Sequence, residues 1–97
     1  MTIMRSDTME TTVERTVTLG SKSGLHARPA AIFVQHAKSY QSQITLVKDE
    51  KTANGKSILS VLALGAEQGD RVLLKISGSD AETALNKLVR LLEGDLG

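Results

Sequence analysis

The 97-residue chain has no cysteine, no tryptophan, one proline, one phenylalanine and one tyrosine. The absence of cysteine excludes disulfides, thiolate nucleophiles and cysteine-ligated metals. Aromatics make up only 2% of the chain. A base-stacking surface for single-stranded nucleic acid, or an aromatic ligand cage, is therefore not expected. Neither sign of charge dominates, since 12 basic against 11 acidic residues leave a formal net charge of +1. That balance supplies no general field to draw the protein onto nucleic acid or an anionic membrane. No apolar run approaches the roughly 20 residues that cross a bilayer, so membrane insertion is not expected. The N-terminal segment 1–12 is polar and lacks the apolar stretch of a secretion signal. It holds all three methionines, Met1, Met4 and Met9, and reads as a disordered leader or tag, with Met9 a candidate start. A cytoplasmic location fits these absences.

What remains is one domain, over residues 13–97, with a modest core of Leu, Val, Ile and Ala around Phe33 and Tyr40. Val13 to Leu19 alternates, with Val13, Arg15, Val17 and Leu19 on one face, and reads as a strand with a wet face. Ala30, Phe33, Ala37 and Tyr40 recur at helical spacing, which predicts an amphipathic helix from Ala27 to about Tyr40. Strands are predicted at Gln43 to Lys48, Lys51 to Ala53 and Arg71 to Ser77, with a short helix from Ser57 to about Gly65. The last helix has the clearest stripe: Ala81, Ala84, Leu85, Leu88, Val89 and Leu92. Ser79 and Glu82 are spaced as a capping box at its start, and Gly94 is a natural stop. This order predicts an α+β open-faced β-sandwich, a four-stranded and mainly antiparallel sheet with three helices packed on one face.

The segment Gly24-Leu25-His26-Ala27-Arg28-Pro29-Ala30 carries the most specific chemistry. A glycine-bearing loop delivers a histidine to the start of a helix, where free backbone N–H groups and the helix dipole attract an anion. Arg28 adds a guanidinium fork suited to phosphate oxygens. Pro29 falls in the first turn, where its missing N–H costs little, although it disfavours helical geometry at Arg28. Neutral imidazole is nucleophilic, and its reference pKa of about 6.5 leaves it largely neutral near pH 7. Taken alone, a loop histidine is more often a surface residue than a nucleophile.

The same seven residues resemble the active-site signature of the HPr family, the histidine-containing phosphocarriers of the bacterial phosphoenolpyruvate:sugar phosphotransferase system. The similarity runs from about Val13 to Gly94 and includes the order of elements. The resemblance implies that His26 accepts a phosphoryl group from enzyme I and donates it to enzyme IIA domains, with Arg28 stabilising the phosphorylated form. It also implies a carrier with no cofactor, a protein substrate in a relay rather than an independent enzyme, acting as a monomer.

A second segment, Asn54 to Leu62, contains Gly55-Lys56-Ser57, like the end of a nucleotide-binding P-loop. That reading fails because Glu50 stands where the pattern needs glycine, and the chain is too short for a nucleotide-binding domain. Ser57 reads as the N-cap of the short helix. The segment also resembles the regulatory-serine region of Gram-positive HPr. There the serine is phosphorylated by HPr kinase/phosphorylase, and the product binds a catabolite-control transcription factor. Gly55 departs from that pattern, which often has a larger residue. A phosphate at Ser57 would sit on a helix N-terminus.

Ala27 and Ala30 on one side, and Ile58, Leu59 and Leu62 on the other, are candidates for an apolar docking patch. Spacing suits a split of the second group, with Leu62 and one of the other two facing inward. His36 reads as solvated, and no metal site is expected. Lys22, Lys38, Lys48, Lys51 and Lys56 read as solvated charges, a subset of which could dock an acidic partner. Two other functional classes compete. A regulatory protein acting mainly through phospho-Ser57 is disfavoured by the presence of His26, because regulatory relatives lack that histidine. A phosphatase of acylphosphatase type would need an arginine loop and a water-positioning asparagine, but Asn54 and Asn86 lie in other contexts.

Overall fold

Strict alternation along Arg71–Gly78, with Val72, Leu74 and Ile76 buried between more exposed neighbours, marks a strand with one face in the core. The computed structural model describes residues 11–95. Its elements in chain order are β1 (Thr11–Thr18), α1 (Ala27–Ala37), β2 (Gln43–Lys48), β3 (Lys51–Asn54), α2 (Ile58–Ala63), β4 (Arg71–Gly78) and α3 (Ala81–Arg90). A short π-type turn, Leu91–Asp95, follows α3. The strands form one sheet in the order β1-β4-β2-β3, every neighbouring pair antiparallel.

Register places apolar residues opposite one another on the inner face. Val17 faces Val72, Ile44 faces Ile76, and Leu46 lies between Leu74 and Ala53. The three helices cover that face, with α3 against β1 and β4, and α1 against α2 and α3. Phe33 is the largest fully buried side chain, and Leu19, Leu25, Leu64, Leu88 and Leu92 pack into the same core. Each such burial contributes about 1.5–3 kcal/mol. The other face of the sheet is polar apart from the Val47–Leu73 pair: Thr12 meets Ser77 at 2.9 Å, and Glu14 lies 3.9 Å from Lys75. The predicted open-faced α+β sandwich is the observed fold.

Several details differ from the sequence reading. Residues 1–10 of the expected leader lie outside the described residues, but Thr11 and Thr12 belong to β1, paired with Gly78 and Ser77. Helix α1 ends at Ala37; Ser39 and Tyr40 continue as tighter turns bonded to His36 and Ala37. The Ser79–Glu82 capping box does not form. Asp80 is the N-cap of α3 and makes no side-chain capping bond. Its carboxylate instead accepts from the backbone N–H groups of Gln41 and Ser42, both at 2.9 Å, and from the Ser42 hydroxyl. Asp80 is turned to partners 38 and 39 residues away in the chain rather than to the helix start. Gly94 does interrupt helical geometry after Leu92.

Candidate functional site

The loop before α1 is held to the loop after α2 by its backbone. Leu25 is buried and its N–H donates to the Ala66 carbonyl at 2.9 Å. Gly24 has φ +58, and a Cβ there would lie 2.6 Å from the Glu67 Cα and still closer to the Ala66 carbonyl oxygen. Only glycine permits both the left-handed backbone and this approach. With Leu25 buried as the anchor, the next residue is turned outward, and His26 is exposed.

His26 is the N-cap of α1 rather than its first helical residue, with extended backbone (φ −80, ψ −167). Its carbonyl accepts from Ala30 at 2.9 Å, so the first turn is regular despite proline at position 29. The His26 side chain makes no capping bond. The N–H groups of Ala27 and Arg28 therefore have no acceptor among the described residues, and α1 carries no acidic residue in its first turn. This leaves the positive end of a helix, with two unbonded amides, beside an imidazole. Arg28 is exposed, and its side chain has no hydrogen-bond or ion-pair partner among the described residues.

The imidazole turns to a partner that sequence reasoning missed. His26 Nε2 lies 2.9 Å and 3.0 Å from the two carboxylate oxygens of Glu67. The two residues are 41 apart, and the acidic residues read along the chain as scattered. Nothing local in the sequence marks Glu67; the Leu25–Ala66, Leu19–Asp70 and Gly69–Leu19 backbone bonds bring the two loops together. Among the described residues, no group of three or more His, Asp and Glu side chains gathers as a metal site would require.

Ser57 is the N-cap of α2, and its hydroxyl accepts from the Ser60 N–H at 3.3 Å. The preceding turn is tied by Asn54, whose N–H donates to the Ser60 hydroxyl at 2.8 Å and whose side chain accepts from the Lys56 N–H at 2.9 Å. Lys56 is not a freely solvated charge. Its ammonium donates to the Tyr40 carbonyl at 2.6 Å in a partly buried position. Lys48 is likewise only 19% exposed and sits 3.4 Å from Asp49 and 3.8 Å from Asp70. Gly55 is buried, and a Cβ on it would meet Ile44 Cγ2 at 2.5 Å. The small residue follows from the close approach of β2.

The expected docking residues separate. Ala27 is exposed, but Ala30 is fully buried and cannot touch a partner, because it lies on the stripe that packs with Phe33. Ile58 is 38% and Leu59 77% exposed, so both face outward. Leu62 is half-buried against the core, and the fully inward position belongs to Val61. The expected inward turn of one of Ile58 and Leu59 does not occur.

Residues 13–94 match the family model described as "PTS HPr component phosphorylation site". The chain is 41% identical over 81 residues to phosphocarrier protein HPr of Treponema pallidum, covering 84% of this chain and 92% of that protein. It is 40% identical over 81 residues to the HPr-like protein Crh of Halalkalibacterium halodurans, covering 84% and 96%. The solved phosphocarrier protein HPr from Bacillus anthracis superposes with a TM-score of 0.82 at 41% identity, over 84% of this chain and 96% of that one. With a matching fold and a family model spanning residues 13–94, the chain belongs to the HPr family of phosphocarrier proteins.

Proposed function

We propose that the protein accepts a phosphoryl group from phospho-enzyme I on His26 and transfers it to an enzyme IIA domain during sugar uptake. The observation that carries this reading is an exposed imidazole at the N-terminus of α1, beside two amides with no acceptor among the described residues and one arginine. The amides of Ala27 and Arg28 supply an anion site, and the Arg28 guanidinium supplies a second charge for phosphate oxygens. The site holds the group by electrostatics and releases it through a labile N–P bond. Ala27, Ile58 and Leu59 are the exposed apolar contacts for the partners, with half-buried Leu62 at the margin.

Intact-mass spectrometry at mildly alkaline pH tests this, after incubation with phosphoenolpyruvate and enzyme I. One acid-labile phosphate is expected on the native chain and none on His26→Ala. No uptake from a cognate, active enzyme I would end the relay reading.

A second reading, supported by the similarity to Crh as well as to HPr, is regulation through Ser57. Phosphorylation by a kinase/phosphorylase would add a dianion at the α2 N-terminus and create a binding surface for a catabolite-control transcription factor. Ser57 already caps α2 with its hydroxyl oxygen, so a phosphate oxygen can take over that bond without unfolding the helix. Incubation with ATP and the kinase, on native chain and Ser57→Ala, tests it: an acid-stable phosphate on the native chain alone supports regulation. If that phosphate forms and His26 takes up none, the protein is mainly a regulatory binding protein.

A further inference from the structure

We propose that Glu67 is a positioning residue for the phosphoryl-accepting histidine: its carboxylate fixes the proton of His26 on Nε2, leaving Nδ1 as the nucleophile. It then balances the charge that the ring acquires. This deepens the carrier reading and rests on it.

The geometry assigns the proton. Both Glu67 oxygens approach one ring nitrogen, Nε2, at 2.9 Å and 3.0 Å. An ionised carboxylate only accepts hydrogen bonds, so Nε2 must donate. A neutral imidazole carries a single N–H, and its Nδ1 is then a bare lone pair. Nε2 is closed to phosphorylation, because a phosphoryl group there would have to expel Glu67 and then face its negative charge. The two ring nitrogens point away from each other, so a group on Nδ1 has the whole ring between itself and the carboxylate.

Glu67 is also held in place rather than met by chance. Its N–H donates to the Asp70 carboxylate at 2.8 Å, and its carbonyl accepts from the Asp70 N–H at 3.0 Å. Asp70 in turn lies 3.8 Å from the Lys48 ammonium on β2. The Leu25–Ala66 bond and the side-chain-free face of Gly24 lock this loop onto the one that carries His26. One clamped backbone thus delivers the carboxylate, and a neighbouring one delivers the imidazole.

The step balances without moving a proton. The Nδ1 lone pair forms the bond to phosphorus while the donor's bond to phosphorus breaks, its electron pair staying with the donor. The product ring keeps its Nε2–H and carries a positive charge, which Glu67 neutralises as the aspartate of a Ser-His-Asp hydrolase triad does for its imidazolium. In the onward transfer the protonated ring leaves as neutral imidazole rather than imidazolate, which keeps the N–P bond labile. Because the two side chains are 60% and 61% exposed, solvent screens the pair, and removing it is expected to slow phosphoryl transfer only about two- to fivefold.

The test uses the full chain, Glu67→Ala and Glu67→Gln, with amide spectra confirming that each variant is folded. Ring ¹⁵N resonances of His26 are recorded at a pH where the ring is neutral, alongside the rate of phosphoryl uptake from phosphoenolpyruvate and enzyme I. Expected are well-separated Nδ1 and Nε2 signals in the native chain, with Nε2 protonated. The signals should draw together in Glu67→Ala as its rate falls, and Glu67→Gln should lie between. Identical signals and rates in the native chain and Glu67→Ala would remove the role of Glu67 alone, leaving the relay intact. A His26 that never takes up phosphate, whatever its ring signals, would overturn the relay and this role with it.

Discussion

At the scale of single residues, the site depends on what surrounds one imidazole. Arg28 is exposed and has no protein partner among the described residues, so removing it opens no cavity and orphans no buried group. Arg28→Ala is therefore expected to change stability by less than about 0.5 kcal/mol while slowing phosphoryl uptake about tenfold, the weight of one charge-assisted hydrogen bond. Parallel thermal melts and enzyme I-coupled uptake rates check the pair of outcomes. Gly24→Ala makes the opposite case. The variant must place a Cβ at positive φ against the Ala66–Glu67 backbone, and is expected to lose about 1–3 kcal/mol of stability. It also separates the two loops, so uptake falls with stability, as denaturant melts and the same assay will show. The placement of His26 and Arg28 at a helix start was legible in the sequence because a helix start is a local event, written in seven consecutive residues. Glu67 was not, because its place is set by a bond between distant loops, and a lone glutamate in a polar turn carries no mark of its partner.

At the scale of elements, periodicity and turn residues together located the four strands and three α-helices, whereas their ends depended on contacts that sequence patterning does not contain. Ser79 with Glu82 has the spacing of a cap, yet the start of α3 is decided by Asp80 and the turn at Gln41–Ser42. The Ser42 hydroxyl, followed by the Gln41 and Ser42 backbone N–H groups, holds the Asp80 carboxyl below its ordinary value of 3.8. A carboxylate depressed in the folded state contributes stability above its unfolded pKa, and loses that contribution as pH falls through the folded one. Thermal melts of the native chain are thus expected to decline below about pH 4. Asp80→Asn should be less stable at neutral pH and show a flatter decline on the acid side. An acid limb equally steep in Asp80→Asn would assign it to other carboxylates. Ser57 was legible as a cap for the opposite reason: its acceptor bond to Ser60 spans only three residues. Ser57→Ala is expected to cost about 1 kcal/mol, measurable by urea denaturation.

At the scale of the whole molecule, the question is how a domain with so little exposed apolar surface would recognise the partners proposed for it. Among the described residues the exposed large hydrophobics are Ile58 and Leu59 alone, adjacent on a six-residue helix. A stable self-association buries about 800 Å² on each partner around an apolar centre, which two side chains do not supply. A relay nonetheless needs contacts that form and dissolve quickly, and a small patch with one prominent anchor suits that requirement. Leu59, at 77% exposure, contributes little to the core, so Leu59→Ala is expected to leave stability within about 0.5 kcal/mol. If it is a docking anchor, its loss raises the enzyme I and carrier concentrations needed for half-maximal transfer, while the rate at saturation, set by His26, stays unchanged. Steady-state transfer with carrier concentration varied separates the two quantities. A lower saturated rate at unchanged half-saturation would place Leu59 in the chemistry instead. No change in either would leave Ala27, Arg28 and the exposed Lys22, Lys38 and Lys51 to carry recognition.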